Sequence, residues 1–157
     1  MATSVLLPVP LLAWHGARPV FLRGRELVEG QPWAHICWIL PGEPITAAPS
    51  VIEERLPDSD LVELDGQDYD FLPRRPGALL ALPPLVAYAG QVVLLRGWRQ
   101  AASNGGSWWA HLARLNLGER DGRRRAALVD LQVAAAEITP LPGQDYARVP
   151  RVRDGQQ

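Results

Sequence analysis

The chain carries two short motifs twice, at almost the same separation. Residues 33–36 read Trp-Ala-His-Ile and residues 109–112 read Trp-Ala-His-Leu, an offset of 76. Gly-Gln-Asp-Tyr occurs at 66–69 and again at 143–146, an offset of 77, and a Pro-Arg pair follows each copy. Self-similarity at a fixed spacing is the signature of a repeated structural unit. The sequence therefore predicts an internal duplication.

A third pair of segments refines the alignment of the repeats. Val-Phe-Leu-Arg-Gly at 20–24 matches Val-Leu-Leu-Arg-Gly at 93–97 with an offset of 73, so one loop has changed length by three residues. This alignment predicts a first repeat of residues 1–76 and a second of residues 77–157. Units this small are marginally stable alone because they bury a modest fraction of their surface. We expect the two repeats to pack together with approximate two-fold symmetry.

Charge is distributed unevenly between the repeats. All 16 basic residues are Arg and the net charge is −1. Residues 1–77 hold six Arg and eleven acidic residues, whereas residues 78–157 hold ten Arg and six acidic residues. Such asymmetry indicates either mutual attraction of the repeats or an acidic partner for the second, such as a nucleic-acid backbone.

The cysteine content and the N-terminal segment point to the cytoplasm. One cysteine, Cys37, excludes an internal disulfide and fits a reducing compartment. The apolar N-terminal segment has no basic start and contains Pro8 and Pro10, so it does not resemble a signal peptide. No stretch approaches the roughly 20 apolar residues that span a bilayer, and we expect no membrane partner.

Strand signals dominate both repeats. Runs of β-branched, aliphatic and aromatic residues are bounded by turn residues, whereas 15 Pro and 14 Gly interrupt every long helical pattern. The expected strands include residues 20–22, 33–40, 50–55, 92–95, 108–117 and 128–132. Asp121-Gly122 predicts a hairpin turn because Gly tolerates positive φ. The sequence therefore predicts an all-β protein.

Each repeat then has a short segment suited to one 3₁₀ turn. Leu-Pro-Asp-Ser-Asp-Leu at 56–61 stands opposite Val-Ala-Ala-Ala-Glu-Ile at 133–138. With the aromatic residue that opens the preceding long strand, this order resembles the SH3-like small β-barrel in a bacterial form, over residues 10–66 and 84–143. The second copy departs from that pattern because its turn has no Pro. The resemblance implies two tandem SH3-like barrels, and such a fold implies a binding module more often than an enzyme. A pair of OB-like barrels is the alternative.

The Gly-Gln-Asp-Tyr segments lie just past each expected barrel. Asp accepts hydrogen bonds from nearby backbone, and a packed Tyr needs a partner for its hydroxyl, so a structural bracket is the leading interpretation. Since both copies end in Pro-Arg, each tail could cross to the other repeat and seal an approximate two-fold interface. The alternative is that Tyr69, Tyr146, Arg74 and Arg151 line two equivalent ligand sites.

Residues capable of catalysis form no convincing set. His35 and His111 recur at equivalent positions, which favours a packing role for both. Cys37 follows His35 on the same strand face, a nucleophile and base arrangement, but Ala113 replaces it in the second repeat. No serine lies in a Gly-x-Ser-x-Gly elbow. The sequence predicts no enzyme, no cofactor and no metal site, with a His35–Cys37 enzyme as a minor alternative.

Aromatic and basic residues of the second repeat suggest a contact surface. Trp98, Trp108 and Trp109 cluster around one loop. Trp109 aligns with Trp33 and is the expected core residue. Trp108 aligns with a proline and is the expected surface anchor, although packing against the other repeat is an equal alternative. Arginine beside exposed aromatic rings is typical of protein-binding hot spots and of surfaces that stack bases.

The sequence thus predicts a non-catalytic adaptor that binds a protein or peptide. The alternative is a nucleic-acid-binding accessory protein that uses the same surface, and homo-oligomerisation is left open. The expected contact residues are Trp98, Arg99, Trp108, Arg114, Arg123, Arg124 and Arg125.

Overall fold

The computed structural model describes residues 6–73, 78–101 and 106–153. Those residues form strands and short 3₁₀ helices and contain no α-helix, so the predicted all-β class is confirmed. The strands are β1 (Leu11–His15), β2 (Arg18–Val28), β3 (Gln31–Leu40), β4 (Ser50–Pro57), β5 (Val62–Glu63), β6 (Leu85–Tyr88), β7 (Gln91–Gln100), β8 (Trp108–Arg120), β9 (Arg123–Ala134), β10 (Ile138–Pro140) and β11 (Arg151–Arg153). We call residues 6–73 the first half and the described residues from 78 onward the second half.

The strands form two sheets, one in each half. The first has the order β4-β3-β2-β1-β5, and all its neighbours are antiparallel. The second has the order β10-β6-β7-β8-β9, also antiparallel, and β11 adds to β7 as a parallel strand. Over the described residues, neither sheet closes into a ring of paired strands.

The local turn predictions are confirmed. Residues Asp58–Asp60 and Ala135–Glu137 form 3₁₀ helices at the two predicted turns. Asp121 and Gly122 connect β8 to β9 with φ values of 54° and 74°. Positive φ at both central residues is what a type I′ hairpin turn requires.

Buried residues form a core within each half and a third core between them. Three consecutive residues of β7 show why: Val93 and Leu95 belong to the core of the second half, whereas Leu94 faces the first half. In β2, Val20 and Leu22 face the first-half core and Phe21 faces the second half. Since successive strand residues point to opposite faces, a continuous apolar run is buried only where both faces are covered. The halves therefore pack together, as their small size predicted.

The Gly-Gln-Asp-Tyr segments bind the first strand of their own sheet. The Tyr69 hydroxyl donates to the Leu12 carbonyl at 2.6 Å and accepts from the Leu64 amide at 2.8 Å. The Gln67 side-chain oxygen accepts from the Leu12 amide at 2.7 Å. The Asp68 carboxylate accepts from the amide of the residue two positions later. The predicted structural bracket is confirmed here.

The second copy repeats these bonds. The Tyr146 hydroxyl donates to the Leu85 carbonyl at 2.5 Å and accepts from the Leu141 amide at 2.7 Å. The Gln144 side-chain oxygen accepts from the Leu85 amide at 2.9 Å. Asp145 caps its turn in the same way as the first copy. Both motifs therefore have the same structural role.

The segments that cross between the halves are not the predicted ones. The Pro73 carbonyl accepts from the Arg25 amide of its own half, and β11 pairs with β7, so the second tail remains on its own half. The stretches that precede β1 and β6 cross instead. The Leu7 amide donates to the Arg96 carbonyl at 2.9 Å, and the Leu80 amide donates to the Arg23 carbonyl at 2.9 Å. The second tail therefore does not cross, because its backbone groups pair with a strand of its own sheet. Residues 74–77 of the first tail, including Arg74, lie outside the described residues.

Candidate functional site

The predicted contact residues lie in three separate places. Trp98, Arg99 and Trp108 lie at one end of the β7–β8 pair. Arg114 lies six residues further along β8, about 20 Å away at the usual rise of a strand. The remaining three arginines start β9, beyond the hairpin turn. The structure does not bring the seven residues together as one surface.

Trp108 is covered by two arginines that the sequence did not assign to it. The guanidinium carbons of Arg151 and Arg153 each lie 5.9 Å from the centroid of its ring. Trp98 packs against the core of the second half, and its buried indole N–H has no hydrogen-bond partner among the described residues. Arg99 is exposed on the same strand. This end of the second half therefore combines three half-buried indoles, those of Trp98, Trp108 and Trp109, with exposed positive charge. Trp109, the expected core residue, is not among the buried residues of that core.

Arg124 contacts the first half. Its guanidinium carbon lies 4.8 Å from the centroid of the Trp14 ring, and it donates a hydrogen bond of 3.3 Å to the Gly16 carbonyl. Arg123 and Arg125 line a small cleft opposite acidic residues of the first half, including Glu63. The basic hairpin thus faces an acidic segment within the same molecule, as one interpretation of the charge asymmetry predicted.

A groove of about 430 Å³ opens where the two halves meet. Corresponding positions of the halves form its walls: Phe21 and Leu94 are 73 residues apart, and Ile39 and Leu115 are 76 apart. Most of its other residues are apolar too. They are Pro19, Trp38, Leu40, Pro41, Ile45, Val92, Val93, Ala113 and Leu128, with Gly90 and Gln91 beside them. We call this feature the inter-half groove.

Two arginines supply all the formal charge of the groove lining. The guanidinium carbon of Arg18 lies 4.3 Å from the centroid of the Trp38 ring. The Arg114 Nε donates to the side-chain oxygen of Asn116 at 3.0 Å. Within the described ranges, neither arginine is within salt-bridge distance of a carboxylate. The inter-half groove is therefore apolar with a positive rim.

His35 and Cys37, the residues of the alternative enzyme hypothesis, lie in different environments. His35 is half-buried and its Nε2 lies 3.1 Å from the Glu26 carboxylate, which also lies 3.3 Å from the Arg55 Nε. Cys37 is fully buried in the core between the halves. Burial raises the pKa of the Cys37 thiol from 9.0 to about 11, so the thiol is protonated at neutral pH. A thiol in that state is a poor nucleophile.

His111 has a different environment from His35. Burial lowers its pKa below the ordinary value of 6.5, and Arg99 and Arg96 lower it further. Its ring is therefore neutral at neutral pH. Among the described residues, no group of three His, Cys, Asp or Glu side chains is arranged to hold a metal ion.

Several groove residues carry no direct signal along the chain. Arg18 and Trp38 meet only because β2 and β3 pair. The two apolar walls of the groove come from different halves and become a site only through packing. Only the repeat offset pointed to the groove from the sequence. It marks Phe21 and Leu94 as corresponding positions, but it does not show that they line one site.

Comparison of the chain with protein-family models, with curated proteins and with solved structures returned no match. Within the described ranges, there is no helix with the length and apolar character needed to cross a membrane.

Proposed function

We propose that this protein is a non-catalytic binding protein that holds a peptide segment of a partner protein in the inter-half groove. The observation that carries the proposal is the groove itself, which is about 430 Å³ in volume and almost entirely apolar. Apolar concave surfaces with a few placed polar groups are the usual form of binding sites. Of the predicted contact residues, Arg114 contributes to this site.

The proposed ancestry of the fold explains why the groove lies where it does. We take the halves to be tandem SH3-like small barrels that arose by duplication and pack about an approximate two-fold axis. Two equivalent contacts support this: Arg23 Nε donates to the Leu80 carbonyl at 2.7 Å, and Arg96 Nε donates to the Leu7 carbonyl at 2.9 Å. Each residue of one contact is 73 residues from its counterpart in the other. Equivalent positions of the two halves, such as Phe21 and Leu94, would then line the groove from opposite sides.

A binding role also agrees with the state of the reactive side chains. Cys37 lies in the core with a raised pKa, and His35 is directed to the Glu26 carboxylate. Neither residue lines the inter-half groove. We propose that the protein works in the cytoplasm, where its one thiol remains reduced.

Nucleic-acid binding is the second candidate function. The observation that favours it is the Trp108 ring with Arg151 and Arg153 beside it, since arginine and an aromatic ring together hold single-stranded bases. Such binding weakens steeply as salt rises from about 50 to about 200 mM. Fluorescence anisotropy with labelled oligonucleotides measures it, and Trp108→Ala with Arg151→Ala reduces it if this surface is the site.

Selection from a displayed random-peptide library tests the peptide-binding function. The comparison variant is Leu40→Glu, because Leu40 lines the groove and is 48% exposed, so the substitution does not disturb the core. Leu27→Glu is the matched control, because Leu27 is 71% exposed and lies outside the groove. We expect peptides that bind the wild type and Leu27→Glu but not Leu40→Glu.

Two results would contradict this function. One is a selection that yields no peptide with measurable affinity for the wild type. The other is a set of peptides whose affinities are unchanged by Leu40→Glu, which would place the binding surface elsewhere.

A further inference from the structure

We infer that the segment held by the inter-half groove is acidic: a short apolar run of a partner protein flanked by Asp or Glu. This inference rests on the proposed function and specifies the chemistry of its ligand. It depends on the sign of the charge at the rim, on the composition of the walls and on the openness of the site.

The charge at the rim is entirely positive. Arg18 and Arg114 are the only charged residues that line the groove, and neither has a carboxylate partner in the parts of the chain that the structure describes. Arginines elsewhere in the described residues do have carboxylate partners: Arg23 pairs with Glu53, and Arg25 pairs with both Asp58 and Glu63. A guanidinium left without a carboxylate beside an apolar surface attracts one from a partner.

Stacking holds one of these guanidinium groups in place. The Arg18 group lies over the Trp38 ring, which fixes its plane while its N–H groups remain at the edges. Arg114 is held through its Nε by Asn116, which leaves its two terminal nitrogens for a ligand. Both groups are therefore oriented before a ligand arrives, and such ordering lowers the entropic cost of binding.

The walls suit apolar side chains. Phe21 and Ile39 from the first half face Leu94, Leu115 and Leu128 from the second. Phe21 and Leu94 are already buried, whereas Ile39, Leu115 and Leu128 are partly exposed. A bound segment with apolar residues at its centre would remove these three side chains from water, and its flanking acidic residues would reach the arginines at the rim.

The openness of the groove favours a chain segment over a small molecule. Pockets for small molecules commonly enclose most of the ligand surface. Leu40, at the rim of this groove, is 48% exposed, and Leu117, two residues beyond Leu115 on β8, is 61% exposed. Exposed apolar side chains that continue outward from the groove give a longer ligand further contacts.

Three synthetic peptides test the inference by fluorescence anisotropy with the full chain. All share the same central Leu-Ala-Phe, and the flanking residues are Glu, Gln or Lys. We expect the Glu peptide to bind about tenfold more tightly than the Gln peptide, and the Lys peptide more weakly still. Raising salt from about 50 to about 300 mM should weaken only the Glu peptide appreciably.

Charge-neutral variants test whether Arg18 and Arg114 cause the preference for the Glu peptide. We expect Arg18→Gln and Arg114→Gln each to weaken the Glu peptide about threefold, and the double variant about tenfold, with no change for the Gln peptide. Arg125→Gln is the matched control, because Arg125 is an exposed arginine of the same molecule outside the groove. Since these side chains lie at the surface, the variants are expected to fold, and circular dichroism checks this.

The outcomes separate the inference from the function on which it rests. Equal affinity for the Glu and Gln peptides, both lost in Leu40→Glu, overturns the acidic ligand and leaves the peptide-binding function intact. Failure of all three peptides to bind at about 1 mM, the weak limit of specific binding, together with a failed library selection, overturns both. Displacement of a bound Glu peptide by a fatty acid at lower concentration, or a concentration-dependent dimer abolished by Leu40→Glu, would identify a lipid or a second copy as the occupant and would also overturn the inference.

Discussion

The guanidinium of Arg124 lies over the indole ring of Trp14, 4.8 Å from its centroid, and joins the basic hairpin of the second half to the first sheet. A hydrogen bond of 3.3 Å from Arg124 to the Gly16 carbonyl supports the same arrangement. Arg124 was predicted from the sequence as a contact for a partner. Its observed position makes it a contact within the molecule.

Loss of this contact should lower the stability of the protein. We expect Arg124→Ala to reduce the free energy of unfolding by about 1 kcal/mol, the usual size of a partly exposed cation–π pair with some lost packing. Urea titration measures the change. Arg125→Ala is the control, since Arg125 is the exposed next residue; an equal loss in both variants would mean that the ring contact contributes nothing.

Removal of either bracket hydroxyl should cost a similar amount. Tyr69→Phe and Tyr146→Phe each delete a hydroxyl that donates to a strand carbonyl and accepts from an amide. We expect a loss of about 1 to 2 kcal/mol from each, because the strand groups lose their partners. Tyr88→Phe is the matched control, since within the described residues the Tyr88 hydroxyl makes no hydrogen bond. Stability unchanged in both bracket variants would show that water replaces the hydroxyls.

Features with local causes were predictable from the sequence. The 3₁₀ turns, the Asp121-Gly122 hairpin and the bracket role of Gly-Gln-Asp-Tyr were all predicted correctly, because each depends on a few neighbouring residues and their backbone preferences. The strand predicted at 92–95 likewise lies within β7.

Features that depend on packing between the halves were not predictable. The crossing segments around Leu7 and Leu80 have no turn or capping signal, and only their bonds to Arg96 and Arg23 define their paths. The groove also could not be predicted from the sequence, because its walls, including Phe21 and Leu115, belong to different sheets. The contact between Arg124 and Trp14 was missed for the same reason: the sequence showed three consecutive arginines after a hairpin turn but not that Trp14 lies beneath one of them.

The buried thiol should make stability depend on pH in the alkaline range. The folded-state pKa of Cys37 is about 11, above its ordinary value of 9.0, so the folded protein retains this proton more strongly than the unfolded chain. The resulting stabilisation is complete below pH 9.0, declines as the unfolded thiol ionises, and is lost by pH about 11.

Urea titrations from pH about 8 to about 11 test this dependence. We expect the free energy of unfolding to decline less steeply with pH in Cys37→Ala than in the wild type over that interval. The smaller side chain should also lower the stability of the variant at every pH, and this offset does not affect the comparison of slopes. Burial also raises the pKa of Tyr69 and Tyr146, so both proteins should still lose stability above the ordinary tyrosine value of 10.0. Parallel curves for the two proteins would show that the thiol titrates alike in the folded and unfolded states.

The exchange of segments between the halves should make them unfold as one unit. Leu7 packs against the core of the second half and Leu80 against that of the first. Truncation of either to Ala should cost about 1 kcal/mol, because each side chain is half-buried. Leu27→Ala, at a site 71% exposed, is the control and should change little. Calorimetry should show a single transition in the wild type and in both variants. The core of the second half is completed by the segment before β1, and the core of the first half by the segment before β6. Two separate transitions in Leu80→Ala would mean that the shared core and the exchanged segments do not couple the halves.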